Sequence, residues 1–139
     1  MMALDESDFI DVRFKYDHVY GDPVALAMNK GLLETIHTAV EPKVAWNAID
    51  EWLAGRGKVT FVGKNIEKFD LAFIEYHHKP LNRHHCSVDI GSLFLRKDDE
   101  VVPNLELCCA RAGIELVGLH DAYYDALTVV KLFKKFRGK

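Results

Sequence analysis

A layered α/β domain is the expectation for this chain, on two observations. Stretches with strand-like apolar patterning alternate along the sequence with stretches whose apolar residues recur every three or four positions. The 139 residues, 49% of them apolar and 28% charged, are also enough to bury one sizeable core, so a single domain spanning 1–139 is expected. No internal repeat, low-complexity tract or linker interrupts the chain.

The elements follow in order. FIDVRFKY (9–16) alternates well enough for a strand, with Phe9 or Ile10, Val12, Phe14 and Tyr16 as its apolar positions. GDP (21–23) is a turn whose proline is set to open a helix, and Leu26, Leu32, Leu33 and Ile36 recur at helical spacing as far as Thr38. A second helix follows Pro42, with Ala45, Trp46, Ile49, Trp52 and Leu53 as its apolar stripe, and ends in GRG. KVTFVG (58–63) reads as a buried strand, and Asn65 is placed to cap a helix over 66–78 that carries Ile66, Phe69, Phe73 and Ile74 on one side. HHCSVDIGSLF (84–94) is a short strand running into a helical turn, and NLELCCARAG (104–113) is a helix stopped by Gly113. The last helix starts near Asp121 and runs to about Phe136, with Lys134, Lys135 and Arg137 complementing its negative end.

A formal charge of −3 argues against a protein that holds nucleic acid by bulk electrostatics, although a local basic groove would suffice for an enzyme. Cys86, Cys108 and Cys109 are odd in number and lack C-x-x-C spacing. Without a signal peptide or a long apolar run, a reduced cytoplasmic setting is expected.

Two carboxylates stand out. Asp70 lies four residues past Ile66 and three before Phe73, so it points along the apolar stripe, where an ionised acid is costly unless paired or metal-bound. The plainer reading puts it at the edge of a narrow stripe, salt-bridged to Lys64 or Lys68. Asp125 repeats the pattern one turn into the last helix, beside the line of Ala122, Ala126, Val129 and Phe133. His120 fits the loop just before that helix, where it could act as a general base on a water while a carboxylate holds a cation. A helix-capping His–Asp pair is the plainer account of that spacing.

Together the motifs are more specific. VGKNIEKFDLAFI (62–74), followed by GLHDAYYDAL (118–127), resembles the second and third motifs of the DnaQ-like DEDDh 3′→5′ exonucleases, the superfamily of RNase T and polymerase proofreading domains. The second has an Asn shortly before Phe-Asp and then a hydrophobic pair; the third has His, four residues, Asp and a small residue. The resemblance covers roughly residues 8–137. It implies an RNase H-like fold in which four acidic groups hold two divalent ions, Mg²⁺ or Mn²⁺, for hydrolysis at the 3′ end of DNA or RNA. It makes Asp70 and Asp125 metal-binding carboxylates, His120 the general base, and Asn65 and Phe69 supports of the second motif. Phe69 or Phe73 would line the substrate groove or pack in the core.

The chain departs from that family at the first motif, Asp-x-Glu, which normally lies farther ahead of the second than the 69 residues preceding Asp70. FIDVRFKY then corresponds to the third strand, and the central first strand is expected to be missing. Glu6 and Asp8 would share one strand face, but in the wrong order and spacing. Three expectations follow: activity is impaired or lost, metal binding is weak, and a second copy of the chain, as a homo-oligomer, or a closed-up sheet fills the gap. The contrasting reading is a non-catalytic nucleic-acid-binding or assembly module that keeps the fold. A third is a start codon placed inside a longer reading frame.

Three further groups have plainer accounts. His77, His78, His84 and His85 read as a solvated turn rather than a zinc site, since neighbouring histidines diverge. Arg83 and His84 could touch phosphate. Cys108 and Cys109 read as helix core rather than a redox centre.

Overall fold

The computed structural model describes residues 1–28, 30–34, 36–118 and 121–138, with the side chain of Leu32 also outside the described set. The chain forms two compact units, one of Met1–Phe9 with Gly57–Lys139 and one of Ile10–Arg56.

In the smaller unit, the single helix expected from Val24 to about Thr38 is divided into α1 (Pro23–Met28), α2 (Lys30–Glu34) and a 3₁₀ turn (Ile36–Thr38), the first starting one residue earlier. Positions 29 and 35 of that segment lie outside the described residues. Helix α3 (Pro42–Ala54) has Pro42 in its first turn, where a missing N–H costs nothing. Its stripe buries Ala45, Trp46 and Ile49, with Trp46 tilted against the Phe14 ring at 4.5 Å. The strand expected at 9–16 is not continuous. Phe9 bridges Met2 in the larger unit, and Phe14 bridges Val40 in the smaller one. A regular strand needs one neighbour along its whole length, and here the pairing points go to different partners.

The larger unit is built on a short parallel pair, β1 (Val62–Gly63) and β2 (Val88–Asp89), with Val62 opposite Val88 and Gly63 opposite Asp89. An isolated parallel bridge joins Val59 to Arg83. The crossover between the two strands is helical: a π-helical turn (Glu67–Leu71) continues into α4 (Ala72–His77). This strand–helix–strand arrangement is what parallel pairing requires. Helix α5 (Ile90–Leu93) follows β2 directly, then α6 (Leu105–Ala112) and α7 (Ala122–Arg137).

Local chemistry explains these ends. Asn104 accepts the Leu107 N–H at 2.8 Å to cap α6, and Gly113 closes that helix at φ 66°, a left-handed position that suits glycine. Asp121 accepts from Tyr123 and Tyr124 to start α7, whose last turn carries Lys134, Lys135 and Arg137. The core joins Ile90, Phe94, Cys108, Cys109, Ala112 and Leu132. Both cysteines therefore belong to the packing, and burial pushes their thiols above the usual range, which keeps them unreactive. Among the described residues no helix is long and apolar enough to cross a membrane.

One ion pair fastens the loop after α5 to α6. Arg111 binds both oxygens of Asp99, at 2.6 and 2.5 Å, and the carbonyl of Phe94 at 2.7 Å. The guanidinium holds the Asp99 carboxyl down, from 3.8 to about 2. A depressed folded-state value stabilises the fold fully above pH 3.8, and that stabilisation is lost as the pH falls toward 2. Asp99→Asn is therefore expected to melt below the wild type at neutral pH, with the gap closing in acid. Thermal melts from about pH 7 down to about pH 2.5 read this directly, and a gap of constant size would contradict it.

Candidate active site

The chain leaves β1 through a tight turn at Lys64 and Asn65. Asn65 adopts φ 53°, the left-handed region that Asn tolerates better than most residues. Its N–H donates to Asp89 Oδ2 at 2.6 Å, and its carbonyl accepts from the N–H groups of Lys68 and Phe69. Asn65 thus opens the following helical segment with its backbone. The expected side-chain cap is not made; the Asn65 side-chain oxygen instead accepts from Lys64 Nζ at 3.4 Å.

The next turn changes what the sequence pattern implied. The Leu71 N–H reaches back five residues to the Ile66 carbonyl at 2.9 Å, the bonding of a π-helix. Ile66 and Leu71 accordingly share the buried face, at 9% and 1% exposure. Of the expected stripe of Ile66, Phe69, Phe73 and Ile74, Ile66 is buried and Ile74 half-buried; placing Phe69 and Phe73 with them assumed four-residue bonding. Phe69 is instead 67% exposed and Phe73 49%. Asp70, expected to point along an apolar stripe, is exposed as well. The protein crowding around it still pushes its carboxyl above the usual range by desolvation. The suggested Lys64–Asp70 pair gives way to another, with Lys64 Nζ 3.8 Å from Asp89 Oδ1.

Asp89 is the residue that sequence reasoning missed. At the end of β2, its Oδ1 accepts the Ser92 N–H at 3.0 Å and caps α5, while Oδ2 holds the Asn65 turn. Burial opposes its ionisation, but the N–H groups of Asn65, Ser92 and Gly91 and the Lys64 ammonium outweigh that and hold the carboxyl below the usual range. An acid ahead of IGSL does carry a capping signal, yet no local pattern links it to Asn65, 24 residues earlier. Asn65, Ile66, Glu67, Lys68, Ser87 and Asp89 line a cleft of about 150 Å³ beside this turn.

The other carboxylate comes from α7. Asp125 sits in its first turn, with its N–H donating to the Asp121 carbonyl at 2.8 Å. Its Oδ1 is sealed from solvent inside the protein. Helix α7 packs on β1, the strand that feeds the Asn65 turn and the Asp70 segment. The element carrying Asp125 thus packs on β1, and the element carrying Asp70 follows β1 in the chain. Gly118, at φ 67°, leads toward this helix, and a side chain there would run into the Tyr124 ring. His120 lies outside the described residues. Arg83 does not lie open to a phosphate: it forks onto Glu67 and also binds Glu75 at 2.9 Å. Among the described residues no group of three or more His, Cys, Asp or Glu side chains converges to hold a metal ion, so neither the histidine cluster nor the pair Asp70 and Asp125 forms a complete cation site there.

A family model described as Exonuclease matches residues 24–133, which include Asn65, Asp70, Asp89, His120 and Asp125. The chain belongs to the exonuclease family. Its mixture of helices with a small parallel sheet is the α/β, RNase H-like architecture of these exonucleases. No curated protein sequence and no solved structure matches the chain. Membership gives a nuclease-type function with nucleic acid as substrate, in a family that generally uses divalent metals. The residues described do not by themselves fit a two-ion centre, since such a centre needs more than two carboxylates to neutralise and orient its cations.

Proposed function

We propose that this chain is a single exonuclease-family domain that engages 3′ ends of DNA or RNA and holds them better than it cuts them. Asp125 and Asp70 are its catalytic carboxylates and the residues toward which a divalent cation would be drawn. His120 is its general base, and Asn65 and Phe69 support the substrate. The reading rests chiefly on one observation: the helix that carries Asp125 packs on β1, the strand that leads through the Asn65 turn into the Asp70 segment, and all of it lies inside the stretch matched as an exonuclease. Weak cutting follows from the small number of acids gathered among the described residues. Two carboxylates offset only half the charge of a dication pair, so the cations are held weakly and are seldom in place to stabilise the transition state for phosphodiester hydrolysis.

A non-catalytic module with the same fold is the second reading, favoured by the exposure of Asp70. One experiment separates the two. A 5′-labelled single strand is incubated with the protein in Mg²⁺ or Mn²⁺, and binding of the same strand is measured in chelator. Slow stepwise shortening from the 3′ end, abolished in Asp125→Ala and by chelation, is the expected result. Binding with no shortening at any protein concentration would select the module. Neither binding nor shortening would remove both readings.

A further inference from the structure

The π-helical turn and α4 carry an unusual outward face. At about 100° per residue, Phe73, Tyr76 and His77 fall within one arc of α4, roughly opposite Glu75. The opposite side meets the protein: Leu71 is buried, Ile74 is half-buried, and Glu75 is bound to Arg83. On the outward arc Tyr76 is 85% exposed and Phe73 49%. The three rings nevertheless organise one another. Phe73 and His77 lie 4.3 Å apart at a 44° tilt, and Tyr76 meets His77 edge-on at 4.9 Å. Large apolar rings set in mutual contact and left open to water mark a docking surface rather than a core.

The surroundings narrow the occupant. The ridge continues directly from Phe69 and Asp70, and Arg83 offsets the charge of Glu67 and Glu75, so the acids of this segment repel a phosphate chain less. In the sequence Lys68 precedes the ridge and Lys79 follows it, and Lys68 lines the neighbouring cleft beside Asn65 and Asp89. Exposed aromatic faces in a chain of a nucleic-acid-cutting family fit unpaired nucleobases, because every base has a π-face to stack. From Asp70 to Tyr76 the segment rises about 9 Å, room for one or two nucleotides.

We infer that Phe73, Tyr76 and His77 form a stacking platform for an unpaired base upstream of the 3′ terminus. The platform rests on the proposed engagement of 3′ ends, and it adds a base-contacting subsite beyond Phe69. It takes single strands of either sugar with little sequence preference, since stacking reads the ring and not its edge.

The test is fluorescence anisotropy of 5′-labelled octathymidylate in chelator, which reads binding without cutting. Tyr76→Ala and Phe73→Ala, on an exposed arc, are checked by thermal melts to fold like the wild type. Each is expected to weaken binding roughly 5- to 150-fold, with Tyr76→Phe close to the wild type. Strands bearing one abasic site near the 3′ end should lose affinity for the wild type, and Tyr76→Ala should add little further loss on the best-affected strand. Equal binding by the wild type and both alanine variants overturns the platform while leaving 3′-end engagement intact. Equal binding of abasic and intact strands assigns the ridge to a different partner, such as a protein, and also overturns it. Failure of the wild type to bind any strand removes both proposals together.

Discussion

Asp89→Ala should cost the fold about 2–5 kcal/mol, because one side chain serves two structures. It caps α5 through Ser92, a contact worth about 0.5–2 kcal/mol. It also takes a charge-assisted bond from the Asn65 N–H, worth about 1.5–3 kcal/mol. Alanine leaves that N–H and the Lys64 ammonium without their carboxylate. Asp89→Asn keeps an oxygen for Ser92, so it should recover roughly half of the loss. The consequence for the site is more specific than the loss of stability. The Asn65 turn sets where the π-helical segment begins, and therefore where Asp70 and Phe69 stand. Hydrogen exchange at residues 66–72 should quicken in Asp89→Ala under conditions where the protein stays folded. Unchanged exchange there would mean that Asp89 only caps α5.

Leu132→Ala is the largest expected loss that leaves the site chemistry alone. Leu132 is fully buried, in the cluster formed with Ile90, Phe94, Cys108, Cys109 and Ala112. Removing its branched end loses transfer energy and leaves a cavity that helices α5, α6 and α7 can only partly close, at a cost of about 2–5 kcal/mol. For a chain of this size that lowers the melting temperature by on the order of 10 °C. In urea the midpoint should fall with an unchanged slope, since the surface exposed on unfolding stays the same. Leu132→Met, which keeps the volume, should cost less than about 1.5 kcal/mol. A loss below about 1 kcal/mol for alanine would mean that the cluster repacks freely.

Much of the fold was legible because its signals are local. Asn104 and Gly113 bracket α6 and Asp121 starts α7 by satisfying backbone groups within four residues, while Pro42 opens α3 by leaving one donor fewer to satisfy. The strand-to-turn reading of 84–94 matches β2 and α5 for the same reason. The segment 66–78 is helical as expected, and of its expected stripe Ile66 is buried and Ile74 half-buried while Phe69 and Phe73 face outward. Sequence spacing assumes four-residue bonding, and the Ile66–Leu71 bond spans five. That single change turns Leu71 into the core and leaves Phe69 and Phe73 outside. The strand expected at 9–16 fell short for a related reason. Alternation reports which face could be buried, not whether a neighbour runs alongside.

By itself the sequence determined the starts and stops of α3, α6 and α7 and the family, because caps, turns and spaced motifs depend on residues a few positions apart. Only the tertiary structure decided which side of 66–78 faces the core, that Lys64 pairs with Asp89, and that Asp89 holds the Asn65 turn. The first turns on a five-residue backbone bond, and the other two on backbone groups and charges brought together across 24 residues or more, where each bond competes with alternatives that spacing alone does not rank.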